Sequence, residues 1–139
     1  MHMNRPVVRD GALLILRIIV GGIFIAHGID KVFMQGMDET VGQFSAWGVP
    51  SPQLWGWVIA LGEIIGGAVL VVGLLTTVVA AVMAFIPAAG IYYVHASAGV
   101  FAEDGGIEFP ALLIVSLIMV IVFGAGRASL DGVLNRAIS

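Results

Sequence analysis

The sequence contains no cysteine and few charged side chains. Without a thiol, the chain cannot form disulfides, thiolate metal sites or covalent haem attachments, and it cannot itself run thiol–disulfide exchange. Charged residues make up 11% of the chain, whereas a soluble domain carries about 25%, so they are too few to cover a soluble surface. The six Lys and Arg residues are scattered and outnumbered by nine Asp and Glu residues, which excludes the basic patch that nucleic acid requires.

Hydrophobic residues make up 60% of the 139 residues and the mean hydropathy is +1.08, so a lipid bilayer is the expected solvent. Four apolar segments predict four helices, each long enough to cross about 30 Å of hydrocarbon: near residues 11–34, 53–75, 77–98 and 107–124. A polar, turn-rich piece, residues 35–52, separates the first two. We therefore predict an all-α fold, an antiparallel bundle of four transmembrane helices in one domain over residues 1–139.

Basic residues set the expected orientation of the bundle. Four arginines flank its two outermost helices: Arg5, Arg9, Arg127 and Arg136. An even number of crossings puts these four on one side, while the opposite connections carry only acidic charges: Asp38, Glu39, Glu103 and Asp104. The positive-inside rule therefore predicts that both termini are cytoplasmic. The first apolar run is longer than the roughly 7–15 residues of a signal peptide and no clear cleavage site follows it, so we expect it to remain uncleaved.

The stretch "GIFIAHGIDKVF" (residues 22–33) puts charged side chains into an apolar segment, and Arg17 lies upstream of it. A lone charge inside the bilayer is costly, so Glu63, near the middle of the second helix, requires a partner inside the bundle. We predict a structural ion pair between Arg17 and Glu63, which fixes the register of the two helices. Small residues predict that these two helices approach closely: Gly56, Ala60 and Gly67 on the second helix, and Gly21, Gly22 and Gly28 on the first.

Six polar side chains from all four helices fall in the half of the bundle nearest the acidic connections: His27, Lys31, Glu63, Tyr92, His95 and Glu108. One interpretation is purely structural, in which the Arg17–Glu63 pair fixes register and Lys31 snorkels to the interface. The other is a ligand pocket or proton-exchange site, because one register pair does not need convergence from four helices. No HxxxH or ExxH pair lies on one helix, and His27 and His95 differ in depth, so we predict neither a metal site nor a haem.

Several stretches resemble the DoxX family of small four-helix membrane proteins along nearly the whole chain. They are Arg17 with "FIAHGIDKVF" (24–33), "GEIIGGAVLVVGLLT" (62–76), "GIEFP" (106–110) and "GAGRASLDG" (124–132). The last is the most specific, although Ala125 stands where the family pattern G-P-G-x-x-S-L-D has proline. Taken alone, Ser129 and Asp131 indicate a helix N-cap or turn, and we expect them to begin a short interfacial helix, "DGVLNRAI".

The resemblance implies a role in redox complexes of the prokaryotic plasma membrane. The family is named after a subunit of an archaeal thiosulfate:quinone oxidoreductase, and related actinobacterial proteins are described as the membrane anchor of a complex with superoxide dismutase and a thiol-handling partner. We therefore expect an anchor or assembly subunit of a membrane-associated oxidoreductase complex, with no independent catalytic constellation. The expected partners are membrane lipid, other redox subunits and further copies of this chain.

Two alternative functions stay open from the sequence. In a quinone-linked redox subunit, His27 or His95 would hydrogen-bond a quinone carbonyl and Glu63 would exchange the proton. No motif specifies a cofactor, and a quinone is the candidate that this pocket would accept. In a small transporter or channel, Glu63 would be the titrating group, although transporters usually have longer chains with inverted repeats.

Overall fold

The structure is a computed structural model that describes residues 5–138, and this part of the chain is helical with no strand. Its α-helices are α1 (Pro6–Ile29), α2 (Met37–Ala46), α3 (Pro52–Val72), α4 (Thr76–Gly90), α5 (Glu108–Phe123) and α6 (Leu130–Ile138). Two π-helical turns extend α1 and α4: Asp30–Met34 and Ile91–His95. Short 3₁₀ turns follow at Ala96–Ala98 and Ala102–Asp104. The predicted all-α class is confirmed.

Three continuous helical stretches are long and apolar enough to cross a membrane: Pro6–Met34, Pro52–Val72 and Thr76–Ala98. They correspond to the predicted helices near residues 11–34, 53–75 and 77–98. The helix α5 is equally apolar but has 16 residues, about 24 Å at 1.5 Å per residue, which is shorter than the hydrocarbon core. A fourth crossing and the orientation of the termini therefore stay predictions.

The long helices pack in pairs around one apolar core. The helix α1 lies along α3, α4 lies along α5, and α3 contacts α4. Buried side chains from all four helices form the centre: Val20, Phe24, Leu70, Ala80, Met83, Leu113, Leu117 and Val120. Many large apolar side chains point outward instead, which is the pattern expected when lipid rather than water surrounds the helices.

Glycines form a seam between α1 and α3, as the sequence predicts. A Cβ added to Gly67 would lie 2.6 Å from the carbonyl oxygen of Gly21, and one added to Gly28 would lie 2.7 Å from the carbonyl oxygen of Ala60. Residues 21 and 28 thus face residues 67 and 60 in reverse order, so α1 and α3 are antiparallel. Gly22 faces open space and lies outside the seam.

The helix α2 lies within the piece that the sequence indicated as a turn-rich connection. Gly36 and Gly48, both at positive φ (87° and 83°), bound this ten-residue helix. Its buried face carries Thr40 and Phe44, and its Val41 packs against α3 beside Gly56. Glycines at both borders and a polar composition are typical of a loop, so the sequence pattern does not predict this helix.

The two ends of the helix pairs differ in charge. At the end we call the basic end, the start of α1, the α3–α4 corner and α6 meet, because Asp131 contacts the corner and Gly126 lies beside Asp10. At the opposite, acidic end lie α2 and residues 96–107, with four exposed carboxylates: Asp38, Glu39, Glu103 and Asp104. Each end contains one buried charged residue.

Candidate functional site

Arg17 on α1 and Glu63 on α3 are the buried charged residues of the described chain, with 1% and 5% of their surfaces exposed. The predicted ion pair between them is wrong. The Oε1 atom of Glu63 lies 2.8 Å from Nζ of Lys31, on the π-helical turn that follows α1. The partner of the buried carboxylate is therefore Lys31, which snorkels to the interface in one interpretation of the sequence and shares a pocket with Glu63 in the other.

The register of the seam explains this exchange of partners. Since residues 21 and 28 face 67 and 60, Glu63 is level with Ile25 of α1. Arg17 lies eight residues from that level, roughly 12 Å, and Lys31 lies six residues from it, roughly 9 Å. Side chains on a helix lean toward its N-terminus, so Lys31 leans toward Glu63 and Arg17 leans away from it.

Arg17 instead holds the segment that follows α5. Its Nη2 donates a hydrogen bond to the carbonyl oxygen of Ala128, and its guanidinium packs against Gly73 at the end of α3. Asp131 adds an attractive negative charge nearby. Among residues 5–138, Nε and Nη1 of Arg17 have no hydrogen-bond partner. One backbone acceptor and one carboxylate thus replace the predicted partner.

Asp131 and Ser129 complete a structure that we call the clasp: Arg17, Gly73, Ala128, Ser129 and Asp131. The carboxylate of Asp131 accepts hydrogen bonds from the backbone N–H groups of Leu75 (2.7 Å) and Thr76 (2.8 Å), at the start of α4. Its own N–H donates to the carbonyl oxygen of Gly73 (2.8 Å). Asp131 therefore caps a helix that begins 55 residues earlier in the chain.

Ser129 begins α6 as the sequence predicts. Its hydroxyl accepts a hydrogen bond from the N–H of Gly132 (2.9 Å) and donates one to the carbonyl oxygen of Gly126 (2.7 Å). Burial acts to raise the pKa of the Asp131 carboxyl, but the hydrogen bonds from Thr76 and Leu75 and the charge of Arg17 outweigh it. The pKa of Asp131 consequently lies below its ordinary value.

His27 lies at the acidic end of α1, one turn before Lys31. Its ring stacks on Phe109 of α5, with centroids 5.9 Å apart and planes 26° apart. His27 is nevertheless exposed, so a ligand can reach it from the outside of the helix pair. Phe109 was absent from the predicted site, although it lies within the stretch "GIEFP" (106–110) that carries the family resemblance.

The other three predicted residues lie at the two borders of the connection between α4 and α5: Tyr92 and His95 on the π-helical turn that extends α4, and Glu108 at the first position of α5. Nδ1 of His95 donates to the carbonyl oxygen of Gly105 (2.6 Å), and Oε2 of Glu108 accepts from the N–H of Ala102 (2.8 Å). Tyr92 is 77% exposed and contacts Tyr93 edge to face. These contacts fold residues 96–108 onto themselves rather than extending a pocket around Glu63.

The predicted pocket thus separates into a charged pair with a nearby histidine and a self-contained connection. An apolar groove of about 670 Å³ does occur at the acidic end, between α2 and α3, but none of the six predicted pocket residues lines it. Its walls are Val41, Ser51, Pro52, Gln53, Leu54, Trp57, Val58 and Leu61. Among the described residues, no group of three or more His, Asp or Glu could hold a metal ion. What remains chemically capable is the Lys31–Glu63 pair, in which an amine with three N–H donors meets a carboxylate acceptor.

Comparison with known proteins identifies the same family that the sequence motifs resemble. The DoxX family model matches residues 12–96, which include Arg17, His27, Lys31 and Glu63 and stop before the second half of the clasp. A "Putative oxidoreductase CatD" of Bacillus subtilis (strain 168) is 36% identical over 118 residues, 85% of this chain and 83% of the relative. An "Uncharacterized protein" of Haemophilus influenzae (strain ATCC 51907 / DSM 11121 / KW20 / Rd) is 30% identical over 131 residues, 90% of this chain and 84% of that relative. No solved structure matches this chain.

Proposed function

Because this chain belongs to the DoxX family of small membrane proteins, we propose that it is the membrane-embedded anchor or assembly subunit of an oxidoreductase complex. The redox setting is supported by the relative named "Putative oxidoreductase CatD". The sequence has no thiol of its own, so in this proposal a partner protein supplies the electron-transfer groups. The subunit contributes attachment to the plasma membrane of a prokaryote and a fixed surface for that partner.

The attachment of α2 is the observation that carries this proposal. The hydroxyl of Thr40 donates to the carbonyl oxygens of Lys31 and Gly36, both at 3.0 Å. Contacts of α2 with α3 and with the π-helical turn Asp30–Met34, together with the burial of Phe44, fix α2 on the bundle rather than leaving it as a mobile connection. Because α2 is already ordered, a partner that binds its exposed face loses little binding free energy to the ordering of this helix.

Exposed carboxylates allow a matched test of this surface. Asp38 and Glu39 lie in the first turn of α2, while Glu103 and Asp104 lie in the other connection at the acidic end. We expect a redox enzyme to co-purify in a fixed ratio with the full chain in mild detergent. Replacement of Asp38 and Glu39 by lysine should lower that ratio about tenfold, whereas the same change at Glu103 and Asp104 should preserve it. Equal recovery from both variants would contradict a partner surface on α2.

The proposed orientation has its own test. We place both termini in the cytoplasm, with four arginines on that side, and α2 on the opposite side. A reporter fused after residue 139 that is active only outside the cytoplasm would overturn this orientation. Cross-linking in native membranes should yield a homo-oligomer, and a monomer under all cross-linking conditions would remove this part of the proposal.

A quinone-linked redox subunit is the second candidate, and the Lys31–Glu63 pair favours it. A buried carboxylate beside an amine, with the exposed His27 one turn before that amine on the same helix, could exchange protons with a bound quinone. Lipid extracts of the purified protein should then contain quinone, and Glu63→Gln should lose it. Glu108→Gln is the matched control because its carboxylate only holds the α4–α5 connection. Quinone-free protein would exclude this candidate.

A further inference from the structure

The basic end contains a pocket that neither proposed function uses. It has a volume of about 340 Å³ and lies between the first turns of α1 and the segment from the end of α5 through α6. Three arginines line it: Arg9 from α1, Arg127 from the connection and Arg136 from α6. They are brought together from positions more than 100 residues apart, because the clasp fixes α6 against the bundle.

The charge of this pocket contrasts with the charge of the chain. Three arginines and one carboxylate, Asp10, line it, so its formal charge is +3 − 1 = +2, whereas the whole chain carries −3. Nη1 of Arg136 donates to the carbonyl oxygen of Arg127 (3.1 Å), which orients the guanidinium at the pocket wall. Guanidinium groups in this number are suited to a phosphate, which each can bind through two parallel hydrogen bonds.

The helix α6 has two different faces, and only its polar face lines the pocket. Gly132, Asn135 and Arg136 lie on that face. The other face exposes a stripe of apolar side chains, with exposed fractions between 43% and 84%: Leu130, Val133, Leu134 and Ile138. A fixed helix that separates a basic pocket from an apolar stripe, at the end of membrane-crossing helices, is typical of a helix lying in the interface of a bilayer.

We infer that this pocket binds the phosphodiester head group of an anionic phospholipid in the adjacent leaflet. The arginines contact the phosphate, and the apolar stripe on the opposite face of α6 inserts among the acyl chains of the same leaflet, which holds the pocket at the level of the head groups. A free phosphate ion would use the arginines but not the stripe, which is why the structure favours a lipid. Basic pockets at the ends of transmembrane helices bind anionic head groups by the same physical chemistry.

The test measures lipid binding to the delipidated full chain in neutral detergent, with native mass spectrometry as the readout. We expect phosphatidylglycerol to bind and phosphatidylcholine to bind at least tenfold more weakly. Arg9→Gln should weaken phosphatidylglycerol binding about fivefold. The matched control is Arg5→Gln, because Arg5 is exposed one turn earlier, carries the same charge and does not line the pocket.

A second pair of variants separates lipid from free phosphate. Replacing Val133 and Leu134 by glutamine should weaken phosphatidylglycerol binding severalfold, while unfolding curves should stay close to those of the parent chain because both side chains are exposed. Inorganic phosphate that binds as tightly as the lipid would assign the site to a free anion. Equal losses for Arg5→Gln and Arg9→Gln, or equal binding of the two lipids, would overturn the inference and leave only general surface charge.

Discussion

Each end of the molecule has one buried charge, and the two are neutralised differently. At the acidic end, Glu63 meets the ammonium group of Lys31 across the α1–α3 seam. At the basic end, Arg17 donates to the carbonyl oxygen of Ala128, while Asp131 supplies a charge from nearby. The first arrangement is a pair of side chains that could be replaced together. The second is part of the main-chain contact that attaches the C-terminal segment.

This difference predicts different consequences when each end is altered. Loss of one member of the acidic-end pair leaves its partner's charge unpaired inside the helix bundle, so the whole structure should lose stability. Loss of Arg17 removes the link between α1 and the segment after α5, so the damage should begin in α6.

Lys31→Met should be the most destabilising single change, because it leaves the Glu63 carboxylate buried without a counter-charge. The expected loss in the free energy of unfolding is about 3–5 kcal/mol, measured by denaturant titration in detergent or bicelles. Glu63→Leu should cost less, since the side chain of Lys31 is 19% exposed against 6% for Glu63 and can turn toward water.

The double variant, Lys31→Met with Glu63→Leu, is the control for this prediction. It removes both charges and should recover much of the stability lost by Lys31→Met alone. A double variant that is no more stable than Lys31→Met would show that the two residues act independently. The acidic end would then owe its stability to packing rather than to the pair.

Arg17→Met should cost about 2 kcal/mol, since it removes a charged donor from the carbonyl oxygen of Ala128 while keeping most of the side-chain volume. Hydrogen exchange should accelerate first in residues 124–138 and only later in α1 and α3. Lys31→Met should instead accelerate exchange throughout the helix pair. A uniform acceleration in Arg17→Met would refute the local role that we assign to the clasp.

The mistaken pairing of Arg17 with Glu63 shows where sequence reasoning stops. The rise per residue of a helix gives the depth of Arg17 and of Glu63 in the bundle. The energetic cost of burying a charge then correctly predicts that each of them has a partner. The partner of Arg17, however, is a backbone oxygen 111 residues later. Every residue has a backbone carbonyl group, so no residue type identifies the one that accepts this hydrogen bond. Only the path of the C-terminal segment in the folded protein brings the carbonyl oxygen of Ala128 to α1.

Other features were accessible from local patterns. The apolar runs predicted four helices, three of which are long enough to cross a membrane, and the small residues on two of them predicted the seam between α1 and α3. Ser129 was identified as the start of α6 because an N-cap acts within one turn. Asp131 acts across 55 residues, and its role in capping α4 was therefore missed. Local chemistry was predictable, whereas contacts between distant segments were not.

The glycine seam connects the two ends, and a pair of alanine substitutions can test it. Gly67→Ala should cost about 1–3 kcal/mol, because its Cβ would lie 2.6 Å from the carbonyl oxygen of Gly21. Gly22→Ala has no atom within 4 Å of the added Cβ, so it should be neutral or stabilise α1 by about 0.5–1 kcal/mol. Similar unfolding free energies for the two variants would show that α1 and α3 do not approach closely.

Asp131→Asn should have the smallest effect, about 1 kcal/mol, because asparagine keeps one acceptor for the N–H groups of Leu75 and Thr76 but loses the charge.

The pKa of Asp131 is lower in the folded protein than in the unfolded chain. Its stabilising contribution is therefore complete above the ordinary carboxyl pKa of about 4. That contribution is lost as the pH falls through the folded value. The unfolding free energies of parent and variant should consequently converge as the pH falls below the folded pKa of Asp131, which itself lies below the ordinary carboxyl value. Asp104→Asn, an exposed carboxylate at the acidic end, should remain parallel to the parent over the same range. A constant gap between the parent and Asp131→Asn down to low pH would show that the clasp depends on hydrogen-bond geometry and not on the charge.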